Sequence, residues 1–111
     1  MKTIQVDEGI FKDDSIFHKQ FAEIMGFPGF YGCNWDAWID CMSSIRSPQE
    51  EMSKVTVGKS ELLEIEILIK DGNSYYRTPT WGHFCSCVAA VNGRFARSGS
   101  NTRLVVTEKI G

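Results

Sequence analysis

Two carboxylates set four residues apart, Asp36 and Asp40, stand out within the stretch FPGFYGCNWDAWIDCM at residues 27–42. On a helix turning about 100° per residue, Trp35, Trp38, Ile39 and Met42 share one side, and the two aspartates lie roughly 130° around from them. Like charges one turn apart repel slightly, and no basic residue stands at i±3 or i±4 to relieve them. Asp36 falls in the first helical turn, where free N–H groups and the macrodipole favour an acid, but Asp40 lies deeper and gains little from either. The pair suits the docking of a cationic group, because charge-assisted bonds from arginine to a carboxylate are strong and geometrically selective.

Other chemistry finds less support. Cys33 and Cys41 lie eight apart and Cys85 and Cys87 two apart, which matches no zinc-site spacing. His83, Cys85 and Cys87 would share a face only on a strand, and their segment reads as a helix. No metal site and no cofactor are expected, and the cysteines read as free packing residues in a reducing compartment. Catalysis is not expected either, since there is no G-x-S-x-G elbow and no Walker or dinucleotide loop. Arg77, Arg94, Arg97 and Arg103 interleave with Tyr75, Tyr76 and Phe95 in a way that could track a nucleic-acid strand. A sequence pI near 5.6 argues against that reading, so direct nucleic-acid binding is not expected.

The elements that must position the acids alternate. Residues 3–6 form a short strand ended by Asp7-Glu8-Gly9, and Asp13 or Asp14 caps a helix with the stripe Phe17, Phe21, Ile24 and Met25. Gly26, Pro28 and Gly29 open a loop, and Asn34 caps the acidic helix. Residues 43–53 connect onward, and Val55-Thr56-Val57 is expected as an edge strand. The run LLEIEILI at 62–69 is the strongest strand, closed by Asp71-Gly72-Asn73. Its Glu64 and Glu66 should face solvent or a neighbouring cation. Thr78-Pro79 starts a third helix with Trp81, Phe84, Cys85, Val88, Val91 and Phe95 at helical spacing, and residues 103–107 form the last strand. This order predicts an α/β fold with a small parallel sheet of about three strands, right-handed crossovers and about three to four helices.

The 111 residues fit a single domain spanning 1–111, and 42% hydrophobic content is too rich for disorder. No apolar run approaches the roughly 20 residues of a membrane span. The acidic N-terminal segment resembles no targeting peptide, so a cytoplasmic location is expected. Net charge is −2, but six basic residues face twelve acidic ones in 1–69 and six face two in 70–111. That asymmetry polarises the surface unless the two portions interleave.

Phe30-Tyr31-Gly32-Cys33-Asn34 followed by Asp36, Trp38 and Asp40 resembles the signature of the barstar family of ribonuclease inhibitors, and the order of elements resembles that fold along nearly the whole chain. The resemblance implies a partner-binding site at Phe30, Gly32, Asn34, Trp35, Asp36, Ile39 and Asp40. In it the two acids mimic RNA phosphate, Phe30 anchors the loop, and Gly32 lets backbones approach. Asn34 both caps the helix and touches the partner, while Trp35 and Ile39 flank the acids. The implied partner is a bacterial ribonuclease or nuclease toxin bound one-to-one, and an immunity protein using another face of the same fold is the alternative. Two departures stand out. Ile39 replaces a tryptophan found before the second aspartate in the founding member. The helix over 81–97 lacks the acids that later helices of that inhibitor bring to the interface, and it ends in Arg94 and Arg97.

Overall fold

The computed structural model describes residues 1–70 and 75–110. Three parallel strands, β1 (Lys2–Asp7), β2 (Leu62–Ile69) and β3 (Arg103–Ile110), form one sheet in the order β1-β2-β3. Ile4 pairs with Ile65, and Ile65 with Val106, so apolar rows cross the sheet in register. Parallel neighbours need long crossovers. The first contains α1 (Asp14–Met25) and α2 (Trp35–Ser43), and the second contains α3 (Pro79–Arg97).

Strict alternation in β2 buries Leu63, Ile65, Ile67 and Ile69 beneath the helices, together with Ile4, Val6 and Leu104. The opposite face carries Thr3, Gln5, Glu64, Glu66 and Thr107. Glu64 accepts from Thr3 Oγ1 at 2.9 Å and Thr107 Oγ1 at 2.8 Å, and Glu66 from Gln5 Nε2 at 2.7 Å. These glutamates therefore meet neutral donors on adjacent strands. Against the inner face the helices set a cluster of rings, among them Phe11, Phe17, Phe21, Trp38 and Phe84, each fully buried. Centroid separations such as 5.1 Å for Phe17–Phe21 and 5.5 Å for Phe21–Trp38 are those of favourable aromatic pairs.

Helix boundaries follow local chemistry. Asp13 accepts from Ile16 N at 2.8 Å to start α1, and Thr78 accepts from Trp81 N at 3.2 Å to start α3, with Pro79 in its first turn. Gly26 ends α1 in the left-handed region (φ 70°), where a β-carbon would also lie 2.7 Å from Lys54.

Several expectations need correction. Residues 55–57 form no strand, because their donors go elsewhere: Val55 N bonds Met25 O at the end of α1, and Val57 N bonds Ile45 O. The turn expected at Asp7-Glu8-Gly9 is instead the end of β1 and a 3₁₀ segment, Glu8–Lys12, that buries Ile10 and Phe11. β3 runs on to Ile110. Cys85 is exposed and Cys87 buried, so the third-helix stripe passes through Cys87, and Cys33 is exposed too. The turn expected at Asp71-Gly72-Asn73 lies outside the described residues. Three α-helices match the lower end of the expected count.

Candidate functional site

The segment between α1 and α2 doubles back along α1. Phe27 packs on Phe21 (6.0 Å between ring centroids), Tyr31 on His18 (5.8 Å), and Trp35 on His18 and Phe17 (4.5 and 4.6 Å). Every fourth residue of the strap thus grips α1 one step nearer its start. Phe30 falls outside that period and is left 77% exposed. Cys33 turns the chain in the left-handed region (φ 53°), and Asn34 then opens α2 by accepting from Ala37 N at 2.8 Å. Asn34 Nδ2 also reaches Gly32 O at 3.3 Å, and a β-carbon on Gly32 would sit 2.8 Å from that nitrogen. Gly32 lets the Asn34 amide approach this closely.

Asp14, in the first turn of α1, joins the starts of all three helices. It accepts from Trp35 Nε1 of α2 at 3.1 Å and from Thr80 Oγ1 of α3 at 2.7 Å, and His83 Nδ1 stands 3.4 Å away. Burial works against its ionisation, but these donors outweigh burial and hold the carboxyl below its ordinary value.

Behind the strap, His18 is buried with Nδ1 2.6 Å from the Tyr31 hydroxyl, while Nε2 is buried with no hydrogen-bond partner among the described residues. Burial lowers the His18 pKa against the opposing pull of Asp14, so the ring is neutral at pH 7. Burial raises the Tyr31 pKa.

The expected site residues divide into two sets. Phe30, Gly32, Asn34, Asp36 and Asp40 are exposed along the strap and the outer face of α2. Trp35 and Ile39, each directly before one of the acids, are partly buried against the core, and the indole N–H of Trp35 is taken by Asp14. Asp36 makes no ion pair among the described residues, although its charge, after burial itself, helps raise the Cys87 thiol pKa. Asp40 is relieved from another helix: Arg94 Nη1 of α3 donates to its Oδ1 at 2.9 Å, with side-chain exposures of 62% and 47%. The acidic and basic portions of the chain therefore interleave here. The roles of Asp14, His18 and Arg94 were not legible from spacing, because each acts on a residue of a different element.

Most members of the strip weighed for nucleic acid are engaged elsewhere. Tyr75 and Phe95 are buried, Arg77 lies over Tyr76, Arg94 is held by Asp40, and Arg103 bonds the carbonyls of Ser100 and Thr102. No helix of the described residues is long and apolar enough to cross a membrane.

A parallel three-stranded sheet with three helices on one face, an aromatic strap and an outward acidic helix define the barstar-like α/β fold. Comparison with protein families makes the assignment specific: residues 1–107 match Barstar (barnase inhibitor), and the chain belongs to that family. A search of curated proteins finds no match. The family is one of inhibitors that bind a ribonuclease.

Proposed function

We propose that this chain binds a bacterial ribonuclease or nuclease toxin one-to-one in the cytoplasm and blocks its active site, acting as an immunity protein without catalysis or cofactor of its own. The supporting observation is that Phe30, Asp36 and Asp40 are exposed on one continuous stretch, the strap and the outer face of α2, held by a buried aromatic anchor beneath. The two carboxylates would meet the cations that hold RNA phosphate, and Phe30 would enter an adjacent apolar recess. Gly32 and Asn34 would let the partner close on the strap backbone. Trp35 and Ile39 would flank the acids, their exposed edges meeting the partner while the rest packs on the core.

The test uses the protein and its Asp36→Ala/Asp40→Ala variant as paired baits for source-cell lysate and secretome, with ribonuclease activity assayed in the eluates. Retention and inhibition of a ribonuclease by the wild type, lost in the variant, are expected. Phe30→Ala should weaken binding by at least about tenfold and leave folding intact, since so exposed a ring contributes little to the core. Equal retention by all baits would move the interface to another face. Retention of RNA alone, or of nothing, would remove the inhibitor reading.

A further inference from the structure

The acidic face of α2 does not end in solvent. One turn beyond Asp36 it meets Arg94, and two further arginines lie at or reach the C-terminal end of α3. Arg97 lies in the same last turn, and Arg46 reaches over from the segment after α2 to donate to Ser98 Oγ at 2.8 Å. Arg46 and Arg97 make no ion pair among the described residues, so Asp40 is the acid that answers this basic edge. The site is therefore a couple, negative at Asp36 and Asp40 and positive at Arg94.

A partner surface made only of cations does not fit such a couple. A guanidinium or ammonium brought to Asp40 would arrive beside Arg94, which already lies 2.9 Å from that carboxylate, and removal of water on docking strengthens the repulsion. Arg94 is rooted on α3, which packs directly against α2, so it cannot withdraw far. The exposed Arg94–Asp40 pair is weak by itself and is easily opened. A complementary partner would split it into two intermolecular pairs, its cation taking Asp40 and its carboxylate taking Arg94.

We infer that Arg94 is a specificity residue, and that the partner is a nuclease whose phosphate-binding cations are bordered by an acidic side chain that pairs with it. This rests on the inhibitor reading above. The probe is the ribonuclease recovered on immobilised wild-type protein, purified and titrated against Arg94→Gln, Arg94→Glu and, as a control, Asp36→Ala. Arg94 is half exposed, so Arg94→Gln should melt close to the wild type. Arg94→Glu sets an acid in the last turn of α3 beside Asp40, so it should melt slightly lower and remain folded at the assay temperature. The expected result is affinity about tenfold weaker for Arg94→Gln and about a hundredfold weaker for Arg94→Glu, with Arg94→Glu restored when the acidic residue nearest Arg94, found by cross-linking, is changed to lysine. Equal or tighter binding by both Arg94 variants, with Asp36→Ala still weakened, would overturn the inference and leave the inhibitor reading standing. Binding unaffected by any of the three substitutions would overturn the inference and move the interface to another face, and recovery of no ribonuclease would remove both readings.

Discussion

Asp14→Ala should cost far more stability than its half-exposed side chain suggests. The substitution strands the Thr80 hydroxyl, which is 3% exposed and has Asp14 as its partner at 2.7 Å. A buried hydroxyl left unpaired costs roughly 1–2 kcal/mol. It also removes a charge-assisted bond from the half-buried Trp35 indole and an acid from the first turn of α1, together about 1 kcal/mol once exposure of the carboxylate, at 44%, is allowed for. The sum is about 2–3 kcal/mol, or a fall in melting temperature of roughly 10–20 °C for a domain of this size. Urea denaturation followed by tryptophan fluorescence measures it directly. Asp14→Asn, which keeps one acceptor, should lose about half as much, and Thr80→Val should make a further Asp14→Ala change cheaper. A loss below about 0.5 kcal/mol for Asp14→Ala, or full additivity with Thr80→Val, would refute the idea that one carboxylate fastens three helix starts.

Asn34→Ala removes the side-chain cap of α2 and should cost about 1 kcal/mol by denaturant titration; an unchanged midpoint would show that α2 starts without it. His18 gives a pH dependence whose sign is fixed by its neutral, buried state. Its folded pKa lies below 6.5, so the stability it contributes is complete above that pH and is lost as pH falls through 6.5 toward the folded value. Denaturation midpoints should therefore drop from pH 7.5 to pH 5.5, and His18→Gln should flatten that slope; an unchanged slope would assign it to other groups. Cys33→Gly relieves a left-handed β-carbon-bearing residue and should raise stability by up to about 1 kcal/mol; a loss instead would show that the Cys33 side chain holds the turn.

Where one element's own chemistry decides its structure, the sequence was a good guide. The alternation of Leu63 to Ile69, the caps at Asn34 and Thr78 and the glycine stop at Gly26 each sit where spacing put them. Residues 55–57 misled because a β-branched pattern says nothing of which carbonyl its N–H groups will meet, and here those carbonyls belong to α1 and to Ile45. The candidate site shows the same division. That Asp36 and Asp40 are exposed followed from helical geometry. The relief of Asp40 by Arg94 depends on packing of α2 against α3, across 54 residues of sequence. Asp14 looked interchangeable with Asp13 as a cap; Asp13 takes the cap, and Asp14 one residue on joins the starts of three helices.

The fourfold rhythm of the strap has a consequence for how such a protein could acquire a new target. Phe27, Tyr31 and Trp35 do the holding, and the positions between them at Gly29, Phe30 and Cys33 are exposed. Around Gly29 a β-carbon would meet nothing within 4 Å. Gly29 and Phe30 form a small rewritable cassette on a fixed frame, with Cys33 restricted to residues that accept its left-handed backbone, so a lineage can change what the strap presents without rebuilding the core. Combinatorial libraries confined to positions 29 and 30 should stay folded while their binding preferences diverge.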